Sequence, residues 1–214
     1  MIINNTNNFI FIHVPKTGGT SITSLLSSIN KVNDIEIGGT QIGELIQTHC
    51  VNKYGISKHT TSAVLRKSLG ENLWSRYKKV SVVRDPLKRA YSAYNFLKRW
   101  EGTPQRVREI VERYDFNDFI LSDAIIENNY PDNIFFPQAY WLCDKDNKIL
   151  IDLIGKTENL PDLIHSLDLN LAIANLPHLI NSNKNIDDYL KNLENEAISK
   201  IKSIYRLDYE LFGY

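Results

Sequence analysis

Short apolar runs separated by amphipathic stretches predict alternating strands and helices along the chain. Residues 8–14 (NFIFIHV), 79–84 (KVSVVR) and 149–155 (ILIDLIG) have the composition of strands that are buried on both faces. Apolar residues at helical spacing follow each run, with helices expected to include Ile22 and to begin near Pro86 and Glu158. This alternation predicts an α/β fold with a central, mainly parallel sheet flanked by helices.

Other segments add helices and one loop to this plan. Amphipathic spacing predicts helices at residues 62–67, 104–114 and 116–122, and one or two more over 186–205. The Asn- and Asp-rich segment 127–133 is expected to be a loop. Because 214 residues suit one domain and no repeat or low-complexity linker interrupts them, we expect a single domain over 1–214.

Charge and cysteine content exclude several classes of protein. The chain has 25 basic and 25 acidic residues, so it lacks the basic surface of a general nucleic-acid binder. Cys50 and Cys143 lie far apart without a CxxC motif, which favours buried free thiols over a disulfide framework or a zinc site. The polar amino terminus does not resemble a signal peptide, and no apolar run reaches the roughly 20 residues of a membrane helix. We therefore expect a cytoplasmic protein.

The first candidate motif lies between the first predicted strand and its helix, at residues 15–21 (PKTGGTS). Backbone N–H groups at a helix start, glycines that permit close approach and the charge of Lys16 together favour binding of an anion such as a phosphate. In a Walker A loop the lysine follows the glycines, whereas here it precedes them, so an ordinary ATP or GTP P-loop is disfavoured. The alternative is a plain strand-to-helix turn capped by Thr20 or Ser21.

The second candidate motif lies at residues 82–92 (VVRDPLKRAYS), where the second predicted strand passes into a helix. Arg84, Lys88 and Ser92 are spaced by four, so they can lie along one side of the helix start. A guanidinium and a hydroxyl suit a terminal phosphate, although pairing of Arg84 with Asp85 is a structural alternative. Ligands of parallel sheets bind beyond the carboxyl ends of the strands, so the two motifs are expected to face one pocket.

Together the two motifs resemble the sulfotransferase superfamily, most closely the carbohydrate O-sulfotransferases and their bacterial relatives. Residues 11–21 look like the 5′-phosphosulfate loop of that family, and residues 82–92 look like its 3′-phosphate element. Segments 137–142, 154–160 and 205–214 are similar as well, so the likeness spans nearly the whole chain and implies a P-loop-like three-layer fold. The chain departs from the family at Lys156-Thr157, where Arg-Phe is common.

The resemblance implies transfer of a sulfuryl group from 3′-phosphoadenosine 5′-phosphosulfate (PAPS) to an acceptor hydroxyl, without a metal. The product would be adenosine 3′,5′-bisphosphate, and the acceptor a carbohydrate or another small glycosylated molecule. Lys16 would be catalytic, because its charge meets the charge that grows on the leaving phosphate. By the same resemblance, the residues that bind PAPS are Lys16, Thr17, Gly18, Gly19, Thr20, Ser21, Arg84 and Ser92.

The base that accepts the acceptor proton is the least determined part of the site. His59 resembles the acceptor-side histidine of the family and is the first candidate. His13 is the second because it adjoins the first motif, and the carboxylates of Glu44 and Glu101 stay open. Four aromatic side chains either stack on a ligand or, more often in such positions, belong to the core: Trp100, Phe136, Tyr140 and Trp141. The charges at residues 106–113 are interpreted as a solvated helix face rather than a patch for an anionic glycan.

Two other functions stay open on the sequence alone. A P-loop nucleotide kinase or hydrolase would need Mg²⁺ ligands and a lysine after the glycines, and the sequence has no matching arrangement. A catalytically silent module that binds a nucleotide would keep the same motifs. Neither the identity of the acceptor nor the oligomeric state follows from the sequence.

Overall fold

The structure is a computed structural model that describes residues 1–126, 129–169 and 186–214. The described residues fall into two compact units, one drawn from Met1–Val83 and Gln138–Ile180, the other from Arg84–Pro137 and Asn181–Tyr214. Each unit contains a hydrophobic core of its own. The organisation of the chain as one domain over 1–214 stays a prediction.

A five-stranded sheet forms the centre of the first unit. The strands are β1 (Ile2–Asn4), β2 (Phe9–Ile12), β3 (Ile35–Glu36), β4 (Lys78–Val83) and β5 (Leu153–Lys156). Their order across the sheet is β3-β1-β2-β4-β5, in which β2, β4 and β5 run parallel and β1 pairs antiparallel with both β2 and β3. The predicted α/β fold with a central sheet is confirmed.

Twelve α-helices lie between and after the strands in the described part of the sequence. In order they are α1 (Gly19–Ser27), α2 (Gln41–Tyr54), α3 (Ser62–Leu69), α4 (Glu71–Arg76), α5 (Pro86–Arg99), α6 (Gln105–Arg113), α7 (Phe116–Leu121), α8 (Ala139–Leu142), α9 (Leu160–Ser166), α10 (Ile186–Lys191), α11 (Asn195–Ile204) and α12 (Arg206–Phe212). Helices α1–α4, α8 and α9 belong to the first unit, and the other six belong to the second. None of the helices in these described stretches is long and apolar enough to cross a membrane.

The core of the first unit fixes where β2 and α1 meet. Alternate residues of a strand point to the same face, and Phe9, Phe11, Val80 and Val82 share one core with the apolar stripes of α1 and α9. That core consists of Ile2, Phe9, Phe11, Ile22, Leu25, Leu26, Val80, Val82, Leu160, Leu163, Ile164 and Leu167. Because α1 is held against the sheet, the residues between β2 and α1 lie at the carboxyl end of a central strand.

The second unit is helical and has an aromatic core. Rings of Tyr94, Phe116, Phe119, Tyr130 and Phe135 lie 4.7–6.1 Å apart in tilted and edge-to-face pairs. Helices α5, α6, α7 and α11 contact one another around this core. The described residues thus give this unit no strand of its own.

Several boundaries differ from the sequence predictions. Strand β5 begins at Leu153 rather than 149, because Ile149 forms an isolated antiparallel bridge with Cys143. The helix expected from residue 158 starts with a 3₁₀ turn, Thr157–Asn159, before α9. Of the predicted loop 127–133, residues 127 and 128 lie outside the described residues and Pro131–Asn133 form a 3₁₀ turn. Both cysteines are buried free thiols, as predicted.

Candidate functional site

The residues between β2 and α1, 13–18, form a loop that presents backbone N–H groups at a helix start; we call it the β2–α1 loop. Lys16 and Gly18 both have left-handed backbone angles, with φ values of 66° and 78°. The carbonyl of Gly18 accepts from the N–H groups of Ser21 and Ile22, which closes the first turn of α1. Within the described residues the N–H groups of Gly19 and Thr20 have no acceptor, so they are suited to an anion.

A threonine after β5 ties this loop to the end of β4. The Oγ1 atom of Thr157 lies 2.6 Å from the carbonyl oxygen of Thr17 and 3.0 Å from that of Val83. The hydroxyl of Thr17 donates to the carbonyl of Val14 at 3.0 Å, so that side chain holds the loop from within. No local feature of the sequence around Thr157 marks this contact.

His13 is packed against the start of α1. A Cβ atom added to Gly19 would lie 2.1 Å from the His13 ring, so only glycine fits beside it. The side chain of His13 is buried, and its Nδ1 atom has no hydrogen-bond partner among the residues that the structure describes. Burial lowers the pKa of His13 well below its usual range, with the charges of His59, Lys58 and Lys16 acting in the same direction. A buried imidazole with a lowered pKa accepts a proton poorly, so His13 is a poor candidate for the base.

His59 lies beside His13, so the structure brings the first candidate base next to the β2–α1 loop. The two rings are 4.9 Å apart in an edge-to-face arrangement, and the Nδ1 atom of His59 is 2.8 Å from the carbonyl oxygen of His13. The indole N–H of Trp141 donates to the carbonyl oxygen of His59 at 3.0 Å. Trp141 is buried, which confirms the core interpretation of this tryptophan and leaves its ring no face for stacking on a ligand.

The two carboxylates left open by the sequence lie in different settings. Glu44, in the first turn of α2, accepts from the N–H of Gly39 at 2.9 Å and faces the ammonium of Lys58 at 3.7 Å. Glu101 is exposed in the segment between α5 and α6, in the second unit. Glu44 therefore has a fixed structural contact, whereas Glu101 is a surface residue.

Arg84 and Asp85 begin the second unit directly after β4. Arg84 is buried, and the carboxylate of Asp85 caps α5 by accepting from the N–H of Lys88 at 2.8 Å. The ammonium of Lys88 pairs with Asp187 at 2.6 Å. The pKa of Asp187 is lowered by this hydrogen bond and charge, and more weakly by Arg84. The start of α5 thus holds Arg84 and Lys88 together with the carboxylates of Asp85 and Asp187, and Ser92 is half-buried one turn after Lys88.

Arg89 is the third cation of the same motif and was not among the predicted site residues. It is fully buried, and its guanidinium donates to the carbonyl oxygens of Ile134 and Phe136. Tyr205 donates to the carbonyl of the residue between them, Phe135, at 2.8 Å, and its ring lies 5.4 Å from the guanidinium. Burial raises the pKa of Tyr205 to about 12, so the hydroxyl keeps its proton. Arg89 therefore has a structural role, because its hydrogen bonds stabilise the backbone of residues 134–136.

The remaining predicted features lie at the surface or provide structure. Trp100 stacks on Phe96 with ring centroids 5.4 Å apart, and Tyr140 is exposed. Helix α6 buries Val107 and Val111 and exposes all of its charged residues except the half-buried Arg108, which confirms the solvated-face interpretation. In the parts of the chain that the structure describes, no group of three or more His, Cys, Asp or Glu residues could hold a metal ion.

The chain matches the model of a known protein family. A sequence model described as the sulfotransferase family matches residues 1–214. No curated protein and no solved structure matches the chain significantly. The family match runs through the β2–α1 loop, the start of α5 and Thr157 alike.

Proposed function

The chain belongs to the sulfotransferase family, and from this premise we propose that it moves a sulfuryl group from PAPS to a hydroxyl of a carbohydrate or another small glycosylated molecule. Membership supports sulfuryl transfer to a hydroxyl-bearing acceptor. The choice of PAPS rests on the general use of this donor in the family and on the β2–α1 loop. The choice of a carbohydrate rests on the resemblance of the two motifs.

The observation that carries the proposal is the β2–α1 loop itself. It joins two N–H groups that have no acceptor among the described residues, the dipole of a nine-residue helix and the charge of Lys16 at the end of a central strand. The helix start contributes roughly half an elementary charge. These groups fit the 5′-phosphosulfate of PAPS. The resemblance to the family assigns the 3′-phosphate to Arg84 and Ser92, because a guanidinium and a hydroxyl suit a terminal phosphate.

Each residue then has a stated part in the reaction. Bound PAPS would supply an activated sulfuryl group. His59 takes the proton of the acceptor hydroxyl while the acceptor oxygen forms the new bond to sulfur. The bond from sulfur to the 5′-phosphate breaks, and its electron pair stays on the phosphate oxygen. Lys16 and the N–H groups of Gly19 and Thr20 stabilise the charge on that oxygen.

Calorimetry without Mg²⁺ tests the donor half of the proposal. Adenosine 3′,5′-bisphosphate is expected to bind more tightly than AMP, and also more tightly than adenosine 2′,5′-bisphosphate, which carries the same number of phosphates. Arg84→Ala should remove most of this preference, because a charge-assisted hydrogen bond contributes about 1.5–3 kcal/mol. Arg99→Ala, at the exposed end of the same helix, serves as the matched control. Equal affinities for the two bisphosphates would contradict the proposal.

Radiolabelled PAPS tests the acceptor half. The panel should contain simple sugars, amino sugars, oligosaccharides, a tyrosine peptide and a phenol, with products identified by mass spectrometry. Label on a sugar supports the proposal, whereas label on the peptide or phenol alone rejects the carbohydrate acceptor. Tight binding of the bisphosphate without transfer to any acceptor would favour a silent nucleotide-binding module. The cytoplasmic location stays a prediction that this panel does not address.

A further inference from the structure

The ring of His59 is held in one tautomer by a backbone carbonyl. Its Nδ1 atom lies 2.8 Å from the carbonyl oxygen of His13. A carbonyl oxygen only accepts hydrogen bonds, so Nδ1 must carry the proton. In the neutral ring the lone pair is then on Nε2, and Nε2 is the atom able to accept a proton.

The carbonyl that sets this tautomer is itself fixed. His13 follows directly after the central strand β2, and its ring lies against Gly19, where a Cβ atom would come within 2.1 Å. His13 is 4% exposed, so its ring cannot move outward without leaving the core. Because burial keeps His13 neutral, it places no positive charge beside a protonated His59.

A second contact holds the backbone of His59. The indole N–H of Trp141 donates to the carbonyl oxygen of His59 at 3.0 Å, and Trp141 is 1% exposed. Trp141 lies on α8, which contacts α3 immediately after the His59 segment. His59 is thus anchored at two points, one on the ring and one on the main chain.

We propose that Trp141 and the backbone carbonyl of His13 are positioning groups that hold His59 as the Nδ1–H tautomer, so that Nε2 takes the proton of the acceptor. The proposal rests on the proposed function for its catalytic meaning. The tautomer rests only on the contacts of His59. Trp141 would act through its hydrogen bond to the His59 backbone.

The tautomer can be measured on the wild-type protein without any acceptor. In a long-range proton–nitrogen correlation spectrum at about pH 8.5, where unperturbed imidazoles are neutral, His59 should show a protonated Nδ1 and an unprotonated Nε2. The His59→Gln variant, which lacks these signals, identifies them in the spectrum. A spectrum in which Nε2 carries the proton would overturn the proposal.

Two matched tryptophan variants test the role of Trp141 in positioning His59. Trp141→Phe keeps a ring but removes the N–H, and Trp74→Phe makes the same change at another buried tryptophan of the first unit. Trp141→Phe should lower kcat about 10- to 100-fold, the scale of a small misplacement of a reacting group. Its KM for PAPS and its affinity for the bisphosphate should stay within about twofold, and Trp74→Phe should leave kcat within that range as well.

A double-mutant cycle separates positioning from general damage. If Trp141 acts through His59, Trp141→Phe should cause no further loss of kcat in a His59→Gln background. Additive losses in the double variant would overturn the positioning role. If the wild-type protein transfers no label to any acceptor while the Nδ1–H tautomer is present, the proposed function fails and the tautomer of His59 stands.

Discussion

Replacing Thr157 with valine should loosen the β2–α1 loop and weaken binding of the bisphosphate. Valine has nearly the shape of threonine but lacks the oxygen that bridges the carbonyls of Thr17 and Val83. A hydroxyl has one proton, so the change removes one shared hydrogen bond, with a net contribution of about 1 kcal/mol. Because Thr157 is only half-buried, water can hydrogen-bond to the two carbonyls in the variant. The loss of stability should therefore not exceed about 1 kcal/mol.

Two measurements follow from that magnitude. A loss of about 1 kcal/mol should lower the melting temperature by about 2–4 °C in a chain of this length. If the same free energy is needed to order the loop around its ligand, the Kd for adenosine 3′,5′-bisphosphate should rise about fivefold in calorimetry. Thr157→Ser keeps the hydroxyl and should behave like the wild type. Equal affinity in the wild-type, serine and valine proteins would refute the reasoning.

Three further predictions concern the same loop and its neighbours. Lys16→Ala should lower turnover by about 10²-fold or more while bisphosphate affinity falls less; turnover within a few-fold of wild type in steady-state kinetics would exclude a role at the transferred group. Gly19→Ala should abolish tight bisphosphate binding in calorimetry, because the new Cβ would lie 2.1 Å from the His13 ring; unchanged binding would show that the ring moves freely. The pKa of His13 is lowered in the folded protein, so the unfolded chain gains the proton first: the free energy of unfolding should fall as pH drops below about 6.5, by up to about 1.4 kcal/mol per pH unit. In denaturant titrations at several pH values, His13→Gln should reduce this pH dependence of the free energy of unfolding, whereas the exposed control His165→Gln should not. The same pH dependence in both variants would contradict the attribution to His13.

Elements marked by local sequence signals were predictable, and those without such signals were not. Helix α5 begins at Pro86 as predicted, because Asp85 caps it, Pro86 occupies its first position and its apolar residues keep helical spacing. Helix α2 was missed because it buries only Gly43 and Cys50 and exposes Ile42 and Leu45, so it shows no apolar stripe. Strand β3 has two residues, too few to form any pattern.

Part of the candidate site was also predictable from the sequence and part was not. The β2–α1 loop is contiguous in the sequence, so its glycines and Lys16 could be recognised together. The contacts that hold it are not contiguous: Thr157 lies 140 residues from Thr17, and Trp141 lies 82 residues from His59. Their side chains have ordinary local surroundings, and only the tertiary structure gives them a role.

The parallel centre of the sheet also bears on how the chain reaches its native state. Phe9 pairs with Lys78 and Val80 with Leu153, so each parallel pairing joins segments about seventy positions apart, whereas β1 and β2 pair across a short turn. Closing such long segments costs chain entropy before the pairing can return any stabilisation, and folds dominated by distant pairings assemble slowly. The strand that precedes the β2–α1 loop should therefore gain its parallel partner late in folding. Until then its apolar edge is open to other chains, which makes refolding at low protein concentration the appropriate way to recover this protein from denaturant.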